Sequence, residues 1–541
     1  MPRILKWLAL SFAAVVGLAI VTVAVSLLSP PPALVISKQT TVITGPLTLD
    51  GTPDYEAYLL SRGREGVTPE NNAAVLLVQA LWPAEIAPAD QPAVLEALGI
   101  TETPSEADAL TRLDDPGLLE QLAESITGDS IDTILAEELV DMAQERPWTA
   151  EQVPALAEWV AANKRPLELI IEATKRPRYW FPSPTFLNDR HDLLIETLLP
   201  LVQESRSATR WLSLRSMHHL GEGRFEAAWR DAVANYQLAQ QTSTGWCLVQ
   251  HLVAIAMEGV ASSQTVAILS HPDLPPNVAR QAMSDLVSLP PLPTMSLVIN
   301  EGERLTYAES LVAMAAGRHS ELDLGKAVHN VDWNVPLEEG NAVFDKLVDL
   351  AATSDLALRR KKLDAFEAEM DASSVRVSEI ARLAAAFFSR KERSQRISDI
   401  WVSLMTPALE VAVQAEDRQK TLRQLTITAA ALGVYRAEQG AYPESLAELV
   451  PGVLDEVPID LFSEQPFVYQ RKPDGGYLLY SVGPNGRDDG GDCYLNEIAG
   501  GDWVADPVEH FVAKEDGDIV IRVPLPPMPV PPAADLESGF E

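Results

Sequence analysis

The chain has 541 residues, 47 % of them apolar, which is enough for several domains with hydrophobic cores and excludes a disordered chain. Its formal net charge of −35 argues against nucleic acid as a partner, because phosphates would be repelled. The chain has only two cysteines, and their scarcity does not argue against export, because a large protein with a hydrophobic core does not need disulfides.

The first predicted element is a membrane-spanning helix at residues 7–28, WLALSFAAVVGLAIVTVAVSLL. A helix of this length would be about 33 Å long, enough to cross a hydrocarbon core of roughly 30 Å. Arg3 and Lys6 precede it and the next charge is Lys38, so we expect the N-terminus in the cytoplasm. We assign residues 1–36 to a cytoplasmic tip and a single-pass anchor in the cytoplasmic membrane, with the body on the periplasmic side.

A cleaved signal peptide is the alternative interpretation of the same segment. Ala24 and Ser26 are small residues at a suitable spacing before Leu27. Against cleavage, the apolar run is longer than the usual h-region and continues through Leu27 and Leu28. Both interpretations export the rest of the chain.

Residues 37–400 are predicted to form a helical exported domain. The turn at residues 221–223, with small Ser216 before it and Gly223 in it, resembles one helix–turn–helix junction of the tetratricopeptide type. Small residues let neighbouring helices approach, so we expect stacked helical hairpins with a continuous core. The apolar run at 247–269 carries Gln250 and His251, which favours a buried helix over a second membrane span.

Aromatic residues and prolines are concentrated at residues 177–186. Such a segment can be a ligand platform on the surface. More often it is a loop that fills a gap between helices, and we prefer that interpretation here.

Residues 401–523 are predicted to be a long helix followed by a small β-sheet. The helix is expected to begin at Thr406-Pro407 and to end before Gly440, with one apolar stripe that includes Leu425 and Leu432. β-prone runs on both sides of residues 473–476 indicate a hairpin. The tail, residues 524–541, begins PLPPMPVPP and is predicted to be disordered.

Three stretches of residues 418–506 carry a family resemblance: YRAEQGAYPESLAELV, VPIDLFSEQPFVYQ, and GGYLLYSVGPNGRDDGGD followed by GGDW. Together they resemble the C-terminal globular module of the major pseudopilin of bacterial type II secretion systems. The resemblance implies a helix packed on a small sheet and a calcium-binding acidic loop after the last strand. In that family the membrane segment directly precedes this helix and follows a glycine–phenylalanine processing site. Here the predicted anchor lies four hundred residues earlier and Gly17 has no such neighbour, so a pilus subunit is not expected.

Two further stretches, EGVTPENNAAVLLVQALWP and PWTAEQVPALAEWVAANKRPLELIIEATKRPRY, resemble a family of bacterial membrane-anchored proteins without an established activity. The chain is therefore expected to be a larger anchored protein that shares the pseudopilin-like module.

Calcium is the cofactor that the acidic loop suggests. Asp488, Asp489 and Asp492 lie within five residues among several glycines, and Asp502 follows in GGDW. Carboxylates and loop carbonyls can supply the six to eight oxygens that Ca²⁺ prefers. The alternative is an ordinary solvated acidic turn.

Buried glutamates provide the basis for an enzymatic alternative. Glu258 lies in VAIAMEGVA, and Glu301 and Glu303 lie in LVINEGERLTY. A buried glutamate with a raised pKa can act as a general acid in glycoside hydrolysis. Such acids more often pair with an arginine, and Arg304 is adjacent.

The sequence therefore predicts a mainly α protein with a small α+β module and an N-terminal transmembrane helix. Its expected role is binding or scaffolding in the bacterial cell envelope, with envelope or secretion proteins as partners and without catalysis. An anchored hydrolase acting on envelope glycans is the alternative. Pairing of Cys247 with Cys493 is left open.

Overall fold

The structure is a computed structural model, and it describes residues 29–106, 109–127, 133–187, 193–197, 199–318, 330–378, 389–491, 517–525 and 528. The predicted anchor at residues 7–28 and Cys493 lie outside these residues.

Within this part of the chain the fold is mainly helical with a small antiparallel sheet, as predicted. In chain order the helices are α1 (Tyr55–Arg64), α2 (Ala73–Leu81), α3 (Gln91–Leu98), α4 (Pro116–Thr127), α5 (Thr133–Glu145), α6 (Pro154–Ala162), α7 (Lys164–Thr174), the single turn α8 (Pro184–Leu187), α9 (Pro200–Gly221), α10 (Phe225–Ser243), α11 (Leu248–Ser270), α12 (Pro276–Ser288), α13 (Met295–Val298), α14 (Arg304–Ala315), α15 (Asn334–Ala352), α16 (Leu356–Ser378) and α17 (Arg390–Gln439). A π-helical turn, Ile299–Glu303, joins α13 to α14. The strands are β1 (Val468–Arg471), β2 (Tyr477–Ser481) and β3 (Ile519–Val523).

Among the described residues, two large hydrophobic clusters form most of the core, a small third one lies on the sheet, and two helices contribute buried residues to both large clusters. Helix α11 contributes Leu248 to one cluster and Met257 to the other. Helix α17 contributes Val402 to the cluster that contains Leu248, and Leu425 to the cluster that contains Met257. Since α11 also packs against α17, these two long helices hold the halves of the described body together.

Helices α9 and α10 form the hairpin that the small residues predicted. Ser216 is fully buried, and its hydroxyl donates a hydrogen bond to the carbonyl of Ala228 at 3.0 Å. Gly223 in the connecting turn has φ +71°, a conformation that favours glycine. Small Ser216 therefore lies at the close helix–helix contact, as expected, and Gly223 allows the turn that connects the two helices.

Among the described residues, α11 is the one helix long and apolar enough to cross a membrane by length and composition. Within its most apolar window 61 % of the residues are buried inside the molecule. Gln250 and His251 are buried there, and Cys247 is buried at its N-terminus as a free thiol.

The predicted start of the long helix at Thr406-Pro407 is wrong. The helix begins at Arg390, where the Ser389 hydroxyl accepts a hydrogen bond from the Glu392 N–H at 3.4 Å. Proline usually interrupts helices, but Ile397 and Val402 are buried on this part of α17, so packing outweighs the local signal. The apolar stripe is confirmed, since Leu425 and Leu432 are fully buried.

The sheet follows α17 and has the strand order β1-β2-β3, with both pairs antiparallel. Leu479 of the central strand pairs with Tyr469 on one side and Ile521 on the other. Strands β2 and β3 pack against α17. The first part of the tail also packs, because Met528 is buried in the hydrophobic cluster that contains Leu425 of α17. Residues 529–541 lie outside the described chain.

Candidate functional site

A cleft of about 380 Å³ opens beside the aromatic segment at residues 177–186. Its other walls are the C-terminal half of α1, the turn between α10 and α11, and the region where α13 enters the π turn. We call it the aromatic cleft and define it by its principal side chains, Arg62, Arg178, Trp180, Phe181, Phe186, Trp246, Leu297 and Glu301. Concave sites of this size, with apolar walls and a few polar groups, are typical of binding sites.

Asn72 pairs with Arg178 in an isolated parallel β-bridge and holds one edge of the aromatic segment. Its side-chain amide donates to the Trp180 carbonyl at 2.8 Å and accepts from the Trp180 N–H at 2.9 Å. The Arg178 N–H donates to the Asn71 carbonyl at 3.1 Å, and the Arg178 carbonyl accepts from the Ala73 N–H at 2.8 Å. Asn72 is 1 % exposed, so this clamp is built into the core.

Trp180 is packed beneath helix α1. A Cβ atom on Gly63 would lie 2.6 Å from the Trp180 ring, so the absence of a side chain allows the helix to sit there. The Arg64 guanidinium lies over the same ring, 5.9 Å from its centroid. The ring is thus held by a helix on one side and by a cation on its face.

Trp246 is placed by a second close approach. A Cβ on Gly302 would lie 2.1 Å from the Trp246 carbonyl oxygen, so glycine in the π turn allows the turn before α11 to pack against it. The rings of Phe186 and Trp246 are 6.0 Å apart in a tilted arrangement. Aromatic side chains from two separate parts of the chain, the aromatic segment and the turn before α11, therefore converge on the cleft.

Charged groups lie at the rim. Arg62 and Glu301 form an ion pair, and both side chains are exposed. Arg178 is also exposed, and within the described part of the chain it has no ion-pair partner. Glu65 also lines the cleft, so two arginines and two glutamates stand there, and among the described residues the Arg178 guanidinium has no ion-pair partner.

Glu258, one of the two candidate catalytic acids, joins core helices α11 and α17. Its carboxylate accepts hydrogen bonds from Arg423 Nη1 and Gln419 Nε2, both at 2.7 Å. It is 3 % exposed, and burial raises its pKa while Arg423 acts in the opposite direction. The arginine pairing expected for such acids is present, although the partner is Arg423 and not Arg304.

Glu303, the other candidate, accepts a hydrogen bond from the Leu248 N–H at 2.9 Å and so caps the first turn of α11. Burial raises its pKa. Arg304 pairs instead with Asp345 at 2.7 Å. Glu258 lies ten residues beyond Leu248, about 15 Å along α11, so the two acids occupy separate positions.

The acidic loop after β2 is organised by hydrogen bonds within the C-terminal module. Asp488 accepts from the Tyr480 hydroxyl and the Gly490 N–H, both at 2.9 Å. Asp518 accepts from the N–H groups of Asp489 and Gly491 at 3.3 and 2.7 Å. Burial raises the pKa of Asp518.

This loop provides part of the predicted calcium ligand set. Asp488 and Asp489 lie together, and Gly490 and Gly491 have positive φ angles that turn the backbone around them. Asp492 and Asp502 lie outside the described residues. Within the described ranges no group of three or more potential ligand side chains is assembled, so calcium stays a prediction.

Sequence reasoning identified the aromatic segment but missed its partners in the cleft. Trp246 follows Gly245 in a short polar turn. A large aromatic residue in such a turn was the sequence feature that could have indicated its place in the cleft. Arg62 and Gly302 carry no local signal, since their roles depend on contacts with distant parts of the chain.

Comparison with protein-family models, with curated proteins and with solved structures finds no match to this chain.

Proposed function

We infer that the chain is a membrane-anchored, exported binding or scaffold protein of the bacterial cell envelope, and that the aromatic cleft is its binding site. The proposal places the anchor at residues 7–28, the N-terminus in the cytoplasm and the acidic body in the periplasm. The aromatic cleft is the observation that carries it, because converging rings and an exposed guanidinium are suited to recognition. The cleft contains neither Glu258 nor Glu303.

Envelope or secretion proteins are the proposed partners. The resemblance to a pseudopilin module motivates this, and α17 packs on β2 and β3 in the arrangement that the resemblance implies. Calcium bound by Asp488, Asp489, Asp492 and Asp502 belongs to the same proposal. Nucleic acid is not a proposed partner, because residues 39–541 carry a formal charge of −38.

An anchored hydrolase acting on envelope glycans is the alternative. It has less support, because Glu258 is engaged by Arg423 and Gln419, and Glu303 caps α11. Unchanged turnover of cell-wall glycans after Glu258→Gln and Glu303→Gln would remove it.

Photo-crosslinking in intact cells tests the cleft. A benzophenone amino acid replaces Leu297, a cleft residue that is 45 % exposed. The matched control carries the same group at Val287, which is 58 % exposed and is not part of the cleft wall. We expect a discrete adduct from position 297 that disappears when Trp246→Ala is added.

Equal adducts from positions 297 and 287 would contradict the proposal. An adduct from position 297 that persists in the Trp246→Ala chain would do the same.

A further inference from the structure

One edge of the aromatic segment is occupied and the other is open. The backbone groups of Arg178 and Trp180 bond to residues 71–73. In an extended segment successive amides point to opposite sides, so those of Tyr179 and Phe181 point away from residues 71–73. Within the described chain, neither residue's backbone N–H or C=O has a hydrogen-bond partner.

The segment that carries the open edge lines the aromatic cleft. Residues 177–183 form one wall of the cleft, whereas residues 71–73 on the occupied edge do not. Pro182 restricts Phe181 to extended conformations, which keeps the edge straight without a neighbouring strand. The cleft is therefore bounded by strand-like backbone with its own donors and acceptors unused.

The spacing of these groups selects a kind of ligand. Tyr179 and Phe181 present equivalent donors and acceptors two residues apart, about 6.6 Å in extended backbone. This repeat matches that of another extended polypeptide, whose alternate residues direct their amides to one side. Peptides that add a strand in this way gain affinity from the main chain and specificity from pockets for alternate side chains.

The side chains around the open edge define the peptide further. Phe186 and Trp246 offer an aromatic surface for an apolar side chain. Arg178, which no described carboxylate neutralises, offers charge complementarity to an acidic one.

We propose that an extended segment of a partner protein binds in the aromatic cleft as an added β-strand. It pairs with the backbone of Tyr179 and Phe181, places an apolar side chain against Phe186 and Trp246, and places an acidic residue beside Arg178. This inference rests on the proposed function of the cleft and names the class of its ligand.

The probe is a phage-displayed library of random dodecapeptides, selected against the full chain in phosphatidylcholine nanodiscs. Selected peptides are synthesised with a fluorescent label, and binding is measured by anisotropy. Phe181→Pro removes the N–H that would donate to the peptide, and Phe181→Leu is the matched control that keeps it. A second set of peptides carries N-methyl groups on alternate amides and is measured on the unaltered chain.

We expect the selected peptides to bind the Phe181→Pro chain about tenfold more weakly than the Phe181→Leu chain, because both variants lack the ring and only the leucine variant keeps the N–H. We also expect the N-methylated peptides to lose binding. The N-methyl comparison needs no substitution, so it stands even if the proline variant folds poorly.

Equal binding by N-methylated and unmodified peptides would overturn strand addition. If the selected peptides nevertheless fail to bind the Trp246→Ala chain, the cleft binds them in a way other than strand addition, and the proposed function stands. If no peptide is selected, or none depends on Trp246, strand addition and the cleft's binding role both fail.

Discussion

Arg215 and Asp231 form a buried ion pair between α9 and α10. Two guanidinium nitrogens of Arg215, Nε and Nη2, donate to the two oxygens of Asp231 at 2.7 and 2.9 Å, and Nη1 donates to Glu168 at 3.0 Å. Asp231 is fully buried and Arg215 is 3 % exposed. Removing one member of such a pair leaves the other charge in a poorly solvated position.

Asp231→Asn is therefore expected to lower the free energy of unfolding by about 3 kcal/mol. Glu438→Gln is the matched control, because Glu438 pairs with Arg280 at the surface and should cost about 1 kcal/mol or less. Urea denaturation of the full chain in detergent measures both. Equal costs for the two variants would show that the buried pair is not a special stabilising feature.

Glu309 predicts a pH dependence of stability. It is 8 % exposed, accepts a hydrogen bond from the Leu194 N–H at 3.2 Å, and burial raises its pKa to about 7 from the ordinary value of 4.5. Between these values the unfolded chain loses its proton first, so the folded state becomes less stable as pH rises. The decrease in the free energy of unfolding should approach about 3 kcal/mol above pH 7.

Glu309→Gln should remove this contribution. The difference in unfolding free energy between the unaltered chain and the variant, measured from pH 4.5 to pH 8, should change by this amount in favour of the variant. Parallel pH profiles would mean that Glu309 titrates normally in the folded protein.

The π turn between α13 and α14 is the element that positions Trp246. Gly302→Ala would place a Cβ 2.1 Å from the Trp246 carbonyl oxygen, so we expect it to lower the free energy of unfolding by about 1–3 kcal/mol. It should also weaken the photo-adduct from position 297, because the turn that carries Trp246 must move.

Gly259→Ala is the control within helix α11. Its Cβ would meet no atom within 4 Å, and the substitution should raise stability by up to about 1 kcal/mol. Thermal melting and the adduct yield check both variants. A Gly302→Ala chain with normal stability and an undiminished adduct would contradict this role for the π turn.

Helices and strands with strong periodic patterns could be predicted from the sequence. The stripe on α17 and the small residues between α9 and α10 depend on local spacing, and the structure confirms both. The start of α17 could not be predicted, because the proline signal near residue 407 is outweighed by burial of Ile397 and Val402 in a distant cluster.

The aromatic cleft shows the same limit at a site. The prolines and aromatic residues at 177–186 predicted a loop, of which the last part forms the single helical turn α8, and the preferred interpretation as a gap-filling loop omitted the cleft beside it. Whether such a segment fills a gap or borders an opening depends on Asn72, Gly63 and Trp246, which lie far away in sequence.

At the scale of the whole molecule, the acidic charge favours a divalent cation over anionic partners. We expect calcium to stabilise the full chain by about 2.7 kcal/mol when its concentration is about a hundredfold above the dissociation constant. Thermal melting with calcium and with chelator measures this.

An Asp488→Asn/Asp489→Asn chain should lose the rise in melting temperature that calcium causes. An Asp455→Asn/Glu456→Gln chain, which removes the same charge from exposed positions, should retain it. A shift that is the same in both variants, or no shift in the unaltered chain, would end the calcium hypothesis.

The central claim is that a body carrying the aromatic cleft works outside the cytoplasmic membrane while tethered to it. Protease accessibility, followed in intact cells and in spheroplasts with an antibody to the body, tests this most directly. We expect the body to be digested only in spheroplasts, and the undigested chain to leave the membrane only in detergent. Recovery of the full-length chain in the cytosol, protected in spheroplasts, would contradict the account.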